Sequence, residues 1–215
     1  MCKLARTLLV LFLAVAGAPP GVAATLQPSF FNTVEARNDD LKPFPKWTGV
    51  MERYFAERGK VEGNCTESTF NKCHWQKWQA LIADLKDQPL DRQLAAVNAR
   101  MNEARYIIDP INWGVKDYWA TLGEFFAKDG DCEDYAIAKY ITLEMLGIDP
   151  AAMRIVVLQD LNLRAAHAVL AVQAGGDTVI LDNQIKQVIS AAKIRHYRPI
   201  FSINQQAWWL HKPAK

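Results

Sequence analysis

Ala166-His167-Ala168-Val169-Leu170-Ala171-Val172-Gln173-Ala174-Gly175-Gly176-Asp177-Thr178-Val179-Ile180-Leu181-Asp182 decides the fold. Two runs rich in Val, Leu, Ile and Ala flank a Gly-Gly pair, the composition of two strands joined by a tight turn. With Gly175-Gly176 as a two-residue turn, Ala174 pairs with Asp177. The register then sets Asp182 opposite Val169, two residues from His167 and on the same face. Diagonal neighbours on one face lie roughly 7–8 Å apart at the backbone, within reach of an Asp–His hydrogen bond. A slip of one residue would send Asp182 to the other face. An acid that follows Val179-Ile180-Leu181 is costly if buried alone, and His167 is the partner that this register offers.

Outward from the hairpin, residues 154–159 and 197–204 read as further strands. Upstream the period changes to that of a helix. A helix opens at Pro45, carries Val50, Met51, Tyr54 and Phe55, and ends at Gly59. Residues 59–71 read as a polar loop with Cys65, followed by a helix over 74–85 with Trp75, Trp78, Leu81, Ile82 and Leu85 on one stripe. Pro89 starts a third helix, with Leu90, Leu94, Val97 and Met101 expected to face inward. Residues 109–121 form an aromatic, turn-rich segment, and a fourth helix starts after Gly130 and runs to Leu146, where Gly147 stops it. Helices first and an antiparallel sheet after them predict an α+β domain over residues 25–215.

The fourth helix opens with Asp129-Gly130-Asp131-Cys132-Glu133-Asp134-Tyr135. Asp131 suits the N-cap, and Asp134 three residues on makes an acidic version of the capping box. Cys132 then takes the first helical position, where the dipole favours a thiolate. The stretch is too polar for a cysteine that is only a small buried hydrophobe. Asp131, Glu133 and Asp134 oppose a thiolate, which leaves two readings: the acids face solvent and are screened, or they bind a hard divalent cation. The spacing is not that of an EF-hand, because Asp134 stands where the loop glycine belongs and Tyr140 where the last ligand belongs.

Cys132, His167 and Asp182 together form a nucleophile, a base and its orienting acid. Asp182 would fix the imidazole, His167 would take the thiol proton and return it to the leaving amine, and Cys132 would carry the acyl group. The Cys132 backbone N–H is an expected oxyanion donor. A transglutaminase or amidase would use the same acyl-enzyme, and a calcium-responsive binding protein with a relic cleft is the reading from another class.

Composition sets the frame: 215 residues, half of them hydrophobic and 22% charged, in the ordinary globular range. Lys3 and Arg6, the apolar run of residues 8–15 and the small residues Val22-Ala23-Ala24 have the order of a secretory signal peptide over residues 1–24. Its removal takes two cations from a chain of net charge +2 and leaves it neutral, with no basic cluster for nucleic acid. Cys65 and Cys73 are close enough to close a small loop in an oxidising compartment, which leaves Cys132 over.

Asp117-Tyr118-Trp119-Ala120, Gly130-Asp131-Cys132-Glu133-Asp134-Tyr135-Ala136-Ile137-Ala138-Lys139-Tyr140, His167-Ala168-Val169-Leu170 and Leu181-Asp182-Asn183 resemble strings of the bacterial transglutaminase-like cysteine proteinases, and among them the LapG-type periplasmic adhesin proteases. The likeness runs over about residues 47–209. It implies a transglutaminase-like, papain-like fold with N-terminal helices packed on an antiparallel sheet. It also implies calcium-dependent cleavage of the N-terminal region of a large repeat-type adhesin at a di-alanine site, with release of cells from a biofilm. An inner-membrane receptor for cyclic di-GMP is the implied partner that sequesters the protease. The resemblance carries the triad onto Cys132, His167 and Asp182, and the calcium ligands onto Asp131 and Glu133. Asp134 and carbonyls of the aromatic segment are candidates to complete the shell.

Overall fold

A computed structural model describes residues 30–58 and 72–214. The proposed signal peptide and Cys65 lie outside the described residues, as does the side chain of Cys73. Seven strands form one antiparallel sheet: β1 (Thr33–Asn38), β2 (Met153–Asp160), β3 (Ala165–Ala174), β4 (Asp177–Leu181), β5 (Ile189–Ser190), β6 (Tyr197–Ile203) and β7 (Trp208–Pro213). Their order is β1-β7-β6-β2-β3-β4-β5. The helices are α1 (Pro45–Glu57), α2 (Lys72–Leu85), α3 (Leu90–Met101), α4 (Asp109–Asn112), α5 (Leu122–Lys128) and α6 (Cys132–Met145).

The helices cover one face of the sheet. Tyr140, Ile141 and Leu143 of α6 meet Ile155, Leu170, Val172 and Leu181 in a core that also takes Trp47, Trp78, Leu94 and Met101. On the other face Val156, Leu158, Val169, Ala171 and Ile180 pack under Phe30, Ala191, Ile194 and Tyr197. Both faces of the central strands are therefore buried. That is why β2 reads as the continuous apolar run Ile155-Val156-Val157-Leu158 and not as an alternation.

The hairpin has the expected register, with Ala174 opposite Asp177 and Leu170 opposite Leu181. Gly175 and Gly176 take φ of +57° and +87°, open to glycine at no steric cost and matched to the strand twist. β4 stops at Leu181 because Asp182 Oδ1 accepts the Gln184 N–H at 2.8 Å, an Asx-turn that leads the chain away. β3 begins earlier, at Ala165, so Ala165–Val169 has β2 on one side and no β4 on the other. The head of α6 enters at this open edge.

Some elements depart from the sequence expectation. β1 precedes the helices and pairs with the C-terminal β7, so the order is not simply helices before sheet. The turn-rich segment holds the single turn of α4, and α5 follows it, capped by Thr121 and Glu124 in a reciprocal capping box. Leu90 faces outward at 37% exposure, since as the first residue of α3 it lies beyond the edge of the core that Leu94, Val97 and Met101 enter.

Candidate active site

α6 begins at Cys132 behind Asp131. Asp134 Oδ2 accepts the Asp131 N–H at 3.2 Å and its Oδ1 accepts the Ala120 N–H at 2.7 Å, so one buried carboxylate ties the helix start to the aromatic segment. Two further carboxylates add to the tie: Asp131 Oδ2 accepts the Asp109 N–H at 3.3 Å, and Asp109 Oδ2 accepts the Tyr118 N–H at 2.6 Å. Gly130 is required by this closeness. A Cβ there would fall 2.7 Å from the Cβ of Asp134.

The Cys132 sulfur sits at the open edge of β3, where the Ala168 N–H is directed at it. His167, the neighbour of Ala168, lines the same cleft of about 480 Å³ as Cys132 and Glu133. The cleft walls are apolar, with Phe44, Trp47, Trp119, Val157 and Phe201, and Lys46 and Asp117 at the rim. His167 Nε2 stands 3.0 Å from Asp182 Oδ1, and both side chains are buried. Asp182 Oδ2 accepts the Tyr197 hydroxyl at 2.6 Å, and Asn102 Nδ2 donates to the Asp182 carbonyl at 2.8 Å. Burial alone would push the Asp182 carboxyl up. The bonds from His167, Tyr197 and the Gln184 N–H outweigh burial and hold it below its usual value. An ionised carboxylate can only accept, so the imidazole hydrogen is on Nε2 and the Nδ1 lone pair is left for a proton. Gln184 Nε2 stands 3.4 Å from that Nδ1 and suits the same tautomer.

The nucleophile is less ready. Cys132 Sγ donates to Glu133 Oε2 at 3.1 Å. Burial, then the Glu133 charge, push the thiol well above its ordinary value, against the expectation that the helix dipole would lower it. The acids do not face solvent. Burial raises the Glu133 carboxyl to about 9, helped by Asp131, and raises Asp134 to about 8. Asp131 and Asp109 are raised for the same reason.

These acids have the makings of a cation site. Ligand atoms of Asp131, Cys132 and Glu133 lie within 4.8 Å of one another, as do those of Asp109, Asp131 and Asp134, and those of Asp109, Asp117 and Glu133. Asp109 Oδ1 and Asp131 Oδ1 are buried with no hydrogen-bond partner among the described residues. Unpaired carboxylate oxygens in a buried all-oxygen cluster fit a hard divalent cation. Asp131 and Glu133, the ligands that the resemblance implies, are both members of these groups. Asp109, Asp117, Gln184 and Tyr197 were missed, because no spacing in the sequence links residues 109 and 117 to the head of α6, or 197 to 182.

Residues 62–211 match the family model of the bacterial transglutaminase-like cysteine proteinases. The chain belongs to this family. Among solved structures it is similar to calcium-bound LapG of Legionella pneumophila, at 31% identity over 74% of this chain and 86% of that one, with a TM-score of 0.61. The EGTA-treated form of the same protein is similar at 31% identity over 77% and 87%, with a TM-score of 0.62. No curated protein sequence is a significant match. The chain is thus a LapG-type cysteine protease with the transglutaminase-like fold.

Proposed function

We propose that the chain is a calcium-dependent periplasmic endopeptidase that cuts the N-terminal region of a large surface adhesin at a di-alanine site and so releases cells from a biofilm. In this reading an inner-membrane cyclic di-GMP receptor holds the enzyme away from the adhesin. The observation that carries the peptidase chemistry is that Cys132 and His167 line one apolar cleft, with Asp182 bonded to the imidazole. The likeness to calcium-bound LapG supports the calcium requirement, and the order of residues 1–24 supports export.

The chain's own groups divide the work. His167 Nδ1 takes the thiol proton, while Asp182 and Tyr197 hold the ring and stabilise the imidazolium that forms. Cys132 Sγ attacks the carbonyl carbon of the scissile bond, and the Cys132 N–H, free at the first turn of α6, faces the developing oxyanion. The imidazolium returns its proton to the leaving amine, and water, deprotonated by His167, releases the acid from the thioester. Asp131 and Glu133 would hold calcium, with Asp109 and Asp117 offering further oxygens. The bound ion supplies positive charge that offsets these acids beside the sulfur.

Incubation with an adhesin N-terminal fragment tests the reading. Two shorter products are expected with calcium and none with EGTA or with Cys132→Ala. Amine-labelled or cross-linked product in place of cleavage would make the chain a transferase, and full activity in EGTA would end the calcium requirement.

A further inference from the structure

An ion pair spans the rim of the cleft, between Lys46 in the first turn of α1 and Asp117 of the aromatic segment. Both residues line the cavity that holds Cys132, so the pair joins two walls of the substrate site. The two side chains are 44% and 49% exposed, and pairs so exposed contribute little to stability. It is a latch that opens easily.

Asp117 has a second possible partner. One of its oxygens lies within 4.8 Å of ligand atoms of Asp109 and Glu133, a spacing that one oxygen-coordinated ion at roughly 2.3–2.6 Å from each ligand can bridge. More than crowding of acids points to a ligand here. Asp109 is 1% exposed, and its Oδ1 has no hydrogen-bond partner among the described residues. An ammonium on Asp117 and a divalent ion on the same carboxylate would repel each other at close range.

We infer that Lys46 is a built-in competitor of the cation. Its ammonium holds Asp117 in the ion-free chain, and a calcium ion seated on Asp109, Asp117 and Glu133 displaces it. Ion binding is thereby coupled to release of the cleft rim, with the aromatic segment drawn toward the head of α6 and α1 set free of it. This rests on the calcium reading above and adds a regulatory contact to it.

Calorimetric titration of calcium into the EGTA-stripped mature chain tests the inference. Lys46→Met keeps the aliphatic stem and removes the competitor, so calcium should bind about three- to fivefold more tightly, what one exposed ion pair contributes. Asp117→Asn should weaken binding about tenfold or more, as the loss of a charged ligand does. In the Asp117→Asn background, Lys46→Met should change the affinity by less than about twofold, because competition needs the carboxylate, whereas a general field effect would persist. Wild-type affinity in Lys46→Met, or a gain that survives Asp117→Asn, overturns the competition. Glu133→Gln is the control for the underlying reading. If it binds calcium as the wild type does, the site itself is wrong; if it loses binding while Lys46→Met matches wild type, only the competition fails.

Discussion

The Tyr197 hydroxyl donates to Asp182 Oδ2 at 2.6 Å, on the carboxylate whose other oxygen accepts from His167. β6 thus buttresses the acid that orients the base. Tyr197→Phe should destabilise the fold by about 1.5–3 kcal/mol, the range for a hydrogen bond to a charged group. The sign of its pH dependence follows from Asp182, whose folded value is depressed. Stability from such a group is full above the unfolded value of about 3.9 and is lost as pH falls through the folded one. The difference between wild type and Tyr197→Phe in urea should therefore be constant near neutrality and close below about pH 4. A difference that persists unchanged at pH 3 would show that the hydroxyl stabilises by packing alone.

Asp182→Asn tests the tautomer. The amide is nearly the same shape, but its NH₂ can meet Nε2 and force the ring hydrogen onto Nδ1, the nitrogen that has to take the thiol proton. A fall in kcat on the order of 10⁴ is expected, as for other buried triad acids, and the unfolding temperature should fall as well, because the carboxylate also accepts the Tyr197 hydroxyl and the Gln184 N–H. A loss of less than about tenfold would remove Asp182 from the triad.

The register of the hairpin was legible because period 2 and a Gly-Gly turn leave few alternatives: Ala174 opposite Asp177 fixes Asp182 beside His167. The head of α6 was legible for a similarly local reason, since capping chemistry spans three residues. What escaped notice depends on long-range contact. β1 shows no strong alternation in Thr33-Val34-Glu35-Ala36-Arg37-Asn38 and is a strand because β7, far along the chain, offers its edge. Asp109 lies in a segment that reads only as turn-rich; it opens the single turn of α4, and its carboxylate also reaches the head of α6. The direction of the Cys132 shift was misjudged because a helix dipole is visible in a sequence, whereas the depth at which Glu133 is buried is not.

The pairing of Cys132 with Glu133 gives a direct kinetic prediction. With EGTA present, iodoacetamide should alkylate the wild-type thiol slowly, because burial and the neighbouring acid both disfavour the thiolate. At about pH 10, above the value of about 9 to which burial raises Glu133, Glu133→Gln removes the charge and leaves the shape, so alkylation in EGTA should quicken by about tenfold, the effect of one pKa unit on a small thiolate fraction. Calcium should quicken the wild type and leave Glu133→Gln unaltered. Equal rates for the two proteins in EGTA would show that Glu133 does not restrain the thiol.

The raised acids predict how the ion-free protein responds to pH. Glu133 at about 9 and Asp134 at about 8 keep their protons in the folded chain and lose them near pH 4 when unfolded. The folded state thus binds more protons across this range, and stability falls as pH rises. His211, lowered to about 4 by burial and by Arg154, acts in the opposite sense up to about pH 6.5, but it is one group against two. Between pH 5 and 7 the EGTA-treated protein should lose roughly 1 kcal/mol per pH unit or more. Calcium favours the ionised acids, so the loaded protein should show a flat or rising curve. Parallel curves with and without calcium would place the ion elsewhere.

Lys139 is fully buried on α6, and its Nζ has no hydrogen-bond partner among the described residues. Burial lowers the amine to about 7, partly offset by the charge of Asp182. Methionine fills nearly the same volume without a charge to desolvate. Lys139→Met should therefore raise stability by about 1–4 kcal/mol near neutrality, as other replacements of buried ionic groups by apolar ones have done. The pH dependence fixes the cause. An amine depressed on folding costs its full penalty below the folded value, and the penalty fades as pH climbs toward the unfolded value of about 10.4. The gain from Lys139→Met, read from thermal unfolding, should be largest below pH 7 and should shrink steadily to pH 10. A gain that stays constant over that range would mean better packing and not removal of a buried charge, and a loss at every pH would mean that the amine is paired in solution.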